Sequence, residues 1–261
     1  MRRAARAARL AAALAGLLAS PAAACLPGAA GDALPGSRAT DATGASAAWY
    51  ENPTAIYGHG IMGAVADAAT LAAVLYPDTI DCTVRRAAAG PGHVFEDIAP
   101  RLHDLDGDDR PEVIAVRSSL TEGAQLAVYA ARGDGLDLIA ATPFIGRRNR
   151  WLAPAAIADL DGDGAVEIAY VDRPHLARVL RVWRWTDGGL VELLATAERV
   201  TNHRIGDEVI RGGLIFCGAQ PEIVLASGDW TRRLALRLGP DGFAIRDIGP
   251  WRDGVALTCA G

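Results

Sequence analysis

Two nine-residue acidic segments stand 55 residues apart and match position for position. Asp104-Leu-Asp-Gly-Asp-Asp-Arg-Pro-Glu112 is followed by Val113-Ile-Ala-Val116, and Asp159-Leu-Asp-Gly-Asp-Gly-Ala-Val-Glu167 by Ile168-Ala-Tyr-Val171. A further step of 55 reaches Glu222, again followed by an apolar run, Ile223-Val-Leu-Ala226. Here the acids are gone, and Phe216-Cys-Gly-Ala-Gln-Pro stands in their place. Leu126-Ala-Val-Tyr129, Leu180-Arg-Val-Trp183 and Leu234-Ala-Leu-Arg237 repeat at a spacing of 54. Each unit therefore reads as a strand, an acidic turn, a strand, a turn and a third strand, with room for a fourth.

A repeat of about 40–60 residues built from short strands fits a propeller blade. Residues 49–103 span one period and should hold a diverged unit, although the alanine-rich stretch Ala66 to Leu75 reads equally as a short helix. Residues 49–261 hold slightly under four periods. The expectation is an all-β chain forming a small β-propeller of four blades, in which ring closure removes free sheet edges. The regular period disfavours a β-sandwich of similar strand count.

In each intact loop the acids fall at positions 1, 3, 5 and 9. Four carboxylates so close repel one another unless something compensates them. Ca²⁺ meets that need, because a hard cation accepts six to eight oxygens in flexible geometry. Position 7, Arg110 or Ala165, would add a backbone carbonyl. Glycine at positions 4 and 6 lets the chain curl, and Asp109, at position 6 of the first loop, tolerates the left-handed conformation. An EF-hand would need a carboxylate at position 12, where Ala115 and Tyr170 stand, followed by a helix. It is rejected.

The pattern D-x-D-G-D-x-x-x-E between strands resembles the calcium loops of FG-GAP repeats, also called VCBS repeats, of integrin α-subunit propellers and bacterial secreted proteins. The resemblance implies propeller blades with structural calcium, about two ions. Asp104, Asp106, Asp108, Arg110 and Glu112 would hold one ion, and Asp159, Asp161, Asp163, Ala165 and Glu167 the other. It implies a binding or interaction module and leaves the ligand, a protein or glycan, unidentified.

Residues 1–24 read as an export signal. Arg2, Arg3, Arg6 and Arg9 precede a short apolar run, Leu10 to Ala19, which is too short to span a bilayer. Ala22 and Ala24 form an A-x-A site before Cys25, whose position also allows lipid attachment. Residues 25–48 read as a flexible linker and 49–261 as the propeller domain, placed in the periplasm or outside the cell. With a formal charge of −5, made more acidic by loss of the leader's arginines, the chain is a poor nucleic-acid ligand. Export favours a disulfide among Cys82, Cys217 and Cys259, with the pairing open.

An enzyme is the competing reading. His175, His203, Arg173, Arg204 and Asp229 fall in equivalent loops of successive units, and such loops converge on one face of a propeller. A small hydrolase or lyase would use His175 or His203 as its base. No nucleophile motif or metal-binding histidine spacing accompanies them, so ion pairs between blades are the favoured role. Trp183 and Trp185, at i and i+2 of one strand, read as packing.

Overall fold

Antiparallel pairing follows the repeat. The computed structural model describes residues 32–76, 83–187 and 189–259, and within them every regular element is a strand. A first group holds β1 (Ala39–Thr40), β2 (Ala47–Thr54), β3 (Asp67–Val74) and β4 (Arg85–Ala88). The second holds β5 (His93–Phe95), β6 (Arg101–His103), β7 (Glu112–Ser119), β8 (Gly123–Arg132) and β9 (Gly135–Ala141). The third is β10 (Leu152–Ala158), β11 (Glu167–Asp172), β12 (Val179–Thr186) and β13 (Gly189–Ala195). The fourth is β14 (Val200–Thr201), β15 (Gly213–Ile215), β16 (Glu222–Ser227), β17 (Arg232–Gly239) and β18 (Gly242–Pro250). Hydrogen bonding merges the first two groups into one sheet through the pair Ala68 and Phe95, and leaves the third and fourth as separate sheets.

The groups stack face to face, which explains the uninterrupted apolar runs. Successive residues of a strand point to opposite faces. In β7, Val113 and Ala115 pack against Tyr50 and Leu71 of the first group. Ile114 and Val116 turn the other way, onto Leu152, Ile168 and Tyr170 of the third. In β11, Ala169 and Val171 continue the series onto Ile223 and Leu225 of the fourth. A strand covered on both faces has no polar side to show. The remaining face of the first group buries Ala47, Trp49, Ala72 and Val74, and that of the fourth buries Ile215, Val224 and Ala235 under Leu257.

The connection between β2 and β3 runs into the middle of the stack, where Tyr57, Ile61 and Met62 are buried. It also touches the fourth group: the Gly206 amide donates to the Ile61 carbonyl at 2.9 Å, and the Ala64 amide to Glu208 Oε1 at 3.3 Å. Gly63, at φ 63°, makes this approach feasible, since a Cβ there would lie 2.5 Å from the Gly206 carbonyl oxygen.

The alanine-rich stretch resolves as strand β3, buried on both faces, which favours an extended chain over a helix with one covered side. Residues 32–48, read from sequence as linker, carry β1 and the start of β2, with Ser37, Ser46, Ala47 and Ala48 buried. The export signal at 1–24, Cys25 and Cys82 lie outside the described residues. Cys217 is disulfide-bonded to Cys259, with the two Cα atoms 5.2 Å apart. Trp183 and Trp185 join the core between the second and third groups. Among the described residues no helix is long and apolar enough to cross a membrane.

Candidate metal centre

Each acidic loop joins an edge strand, β6 or β10, to the strand that carries the apolar run, β7 or β11, and its backbone amides shape it. In the first loop, Asp104 Oδ1 accepts from the amides of Gly107 and Asp108, and Oδ2 from Asp109. Asp106 Oδ1 accepts from the Asp108 amide, Asp108 Oδ1 from Arg110 and Glu112 Oε2 from Leu105. The second loop repeats this scheme: Asp159 takes the amides of Gly162 and Gly164, Asp161 that of Asp163, Asp163 that of Ala165, and Glu167 that of Leu160. Position 6 is left-handed in both, at φ 65° for Asp109 and 92° for Gly164, as expected of Asp and Gly there.

The two loops differ in what is left over. In the first, no hydrogen bond from another described residue reaches Asp106 Oδ2, Asp108 Oδ2 or Glu112 Oε1. One carboxylate oxygen each from Asp104, Asp106 and Asp108 lies within 4.8 Å of the others. Burial pushes the Glu112 carboxyl up to about 7; the Leu105 amide pulls it back, and the charges of Asp106 and Asp108 add to the rise. Asp104, Asp106 and Asp108 form an oxygen-only set that suits a hard divalent cation, while Glu112 stands outside this close cluster.

In the second loop those three oxygens are taken. Arg184, on β12 directly opposite Glu167, places its guanidinium 2.6 Å from Asp161 Oδ2, 2.9 Å from Asp163 Oδ2 and 2.7 Å from Glu167 Oε1. Asp159, Asp161 and Glu167 still approach one another closely enough to share an ion, yet the loop already holds a cationic group. As arranged, it does not fit a divalent cation beside Arg184.

The third copy keeps only Glu222, which pairs with Arg246 at 2.8 Å. Its Cys217 carries the disulfide, and its Gln220 donates to the Asp161 carbonyl, so the third loop leans on the second.

Of the residues proposed for an enzyme pocket, His175, His203 and Arg173 come together and Arg204 and Asp229 do not. A cavity of about 200 Å³ is lined by His59, Arg150, Trp151, Arg173, His175 and Ile205, among others. His175 Nε2 lies 3.1 Å from His203 Nδ1, and His203 Nε2 lies 2.8 Å from the Asp207 carbonyl oxygen. Because that carbonyl can only accept, His203 carries its proton on Nε2, and its Nδ1 accepts from His175. Both ring nitrogens of His203 are thus committed. Burial, helped by His203, holds His175 down at about 4, so it is uncharged at neutral pH. Arg204 instead lies over the Trp230 ring at 3.9 Å and pairs with Asp253, while Asp229 caps a turn through Ser227 and Thr231. His59 belongs to no motif of the sequence. It lies against the fully buried Glu96, at 2.6 Å, because the β2–β3 connection carries it inward.

A family model for the FG-GAP-like repeat matches residues 104–170, from the first acidic loop through the second and into β11. No curated protein matches the chain.

Proposed function

We propose that this FG-GAP-like repeat protein is an exported binding module, a four-bladed propeller whose first acidic loop holds a structural Ca²⁺. The convergence of the Asp104, Asp106 and Asp108 carboxylates, with Asp106 Oδ2 and Asp108 Oδ2 reached by no donor among the described residues, carries the reading, since leaving like charges together without a counter-ion is unfavourable. Asp104, Asp106, Asp108 and Glu112, with the Arg110 carbonyl, would supply the ligands. Bound there, the ion neutralises the loop and stabilises the folded state by mass action. Contact between the loops at Ile61 and Gly206 supports a ring in which the last blade meets the first. The leader at 1–24 and a disulfide within the fourth group support export, as disulfides persist in oxidising compartments. Cys25 would be the point of any lipid anchor. The partner would be a protein or a glycan.

Calorimetric titration of Ca²⁺ into the full chain, first stripped by a chelator, should show saturable binding that Asp106→Asn weakens at least about tenfold. Heats equal to those of buffer alone would remove the cation from this reading.

A second reading, a hydrolase or lyase, draws on the paired imidazoles at the cavity. With His203 committed on both nitrogens, the base would be His175. Loss of a measurable hydrolysis in His175→Gln, with an unchanged fold, would be needed to sustain it.

A further inference from the structure

Three copies of one loop are held in three different ways, and the second copy is informative because it is chemically almost the same as the first. Each loop presents four carboxylates at matching positions, eight oxygens per loop. In the second loop seven of the eight accept a hydrogen bond, and the eighth, Asp163 Oδ2, faces the Arg184 guanidinium as an ion pair. Five amide hydrogen bonds take Asp159 Oδ1 and Oδ2, Asp161 Oδ1, Asp163 Oδ1 and Glu167 Oε2. Arg184 takes the other three, Asp161 Oδ2, Asp163 Oδ2 and Glu167 Oε1. Their counterparts in the first loop, Asp106 Oδ2, Asp108 Oδ2 and Glu112 Oε1, are the three that no other described residue reaches.

Register explains the difference. Glu167 pairs across the sheet with Arg184. Continuing the pairing of Val113 with Tyr129 by one residue places Ala130 opposite Glu112. A methyl group there cannot supply charge. A guanidinium offers five donors in a planar fork suited to several carboxylates at once. Arg184 is partly sheltered and Glu167 fully buried, so water screens their attraction less than it would an exposed pair. A divalent ion entering this loop would have to displace the guanidinium from three carboxylates, or stand beside it and be repelled.

We infer that Arg184 is a built-in counter-ion that closes the second loop without metal, so that the two near-identical loops behave differently and cation binding is confined to the first. This goes beyond the proposed function, and the part concerning the first loop rests on it.

The test is the number of calcium ions retained by the full chain, counted by native mass spectrometry, in the natural sequence and in Arg184→Gln. Arg184→Met, which keeps the aliphatic stem, serves if the first variant folds poorly, and circular dichroism checks the fold of each. The expected result is one ion for the natural sequence and two for the Arg184 variant. Adding Asp106→Asn should bring these numbers to zero and one. Two ions on the natural sequence would overturn the inference. So would the same number on both proteins, since removing the guanidinium would then have opened nothing. None on the natural sequence and one on the variant would uphold the role of Arg184 while refuting calcium in the first loop.

Discussion

Removing the Cys217–Cys259 bond probes how much the fourth group depends on a covalent tie at the position where its sister units carry acidic loops. The two cysteines are 42 residues apart, and the segment between them contains β16, β17 and β18. In the chain-entropy picture, cross-linking a loop of that length restricts the unfolded chain by about 4 kcal/mol at 25 °C. The native state returns part of this when the bond is cut, because the tail at 252–256 is exposed and is then held chiefly by the pairing of Asp253 with Arg204 and Arg211. Leu257, packed with Ile215, Val224 and Ala235, would lose its anchor at the same time. The expected net cost of Cys217→Ala with Cys259→Ala is therefore about 2–4 kcal/mol. For a domain of this size that corresponds to a fall in melting temperature of roughly 5–15 °C. Urea unfolding followed by tryptophan fluorescence measures it, and substituting only these two cysteines avoids the ambiguity of a general reductant. A loss below about 0.5 kcal/mol would refute the argument, because loop closure alone would then contribute almost nothing.

Two further outcomes follow from particular contacts. Burial, reinforced by the charge of Glu96, pushes the Asp67 carboxyl up to about 7, so the folded chain keeps a proton that the unfolded chain releases near pH 4. That linkage lowers stability as pH rises from about 4 to about 7. Asp67→Asn should remove it, raising stability by about 1–3 kcal/mol at pH 8 and little at pH 4, after discounting for partial exposure. Unfolding midpoints at the two pH values decide it, and an equal gain at both would contradict the assignment. Gly63→Ala should cost about 1–3 kcal/mol more than Gly60→Ala. Both positions have positive φ, but only at Gly63 would the new Cβ strike the Gly206 carbonyl. Equal losses in the two variants would mean that the loops do not meet.

The strands were legible in the sequence because burial on both faces leaves apolar runs, and the runs at 113–116, 168–171 and 223–226 lie within β7, β11 and β16. The acidic loops were legible because their own amides hold them, a local matter of residues at most seven apart. Arg184 was not, since it meets Glu167 only through strand register, and no spacing rule links a strand residue to a loop 17 positions earlier. His59 was hidden for a similar reason, its neighbours being set by the path of the β2–β3 connection. Residues 32–48 looked like linker because their small side chains carry little periodic signal, yet alanine and serine suffice where backbones pack closely. For β3, alanine satisfies helix and strand alike, and only its covered faces decide.

If the first acidic loop holds Ca²⁺, thermal unfolding of the full chain responds to its removal. The melting temperature would be measured in excess Ca²⁺ and again in a chelator, alongside analysis of bound metal. The expected result is a clear rise with calcium, growing with the logarithm of its concentration above the dissociation constant, and about one ion bound per chain. Superimposable melting curves with no metal bound would contradict it.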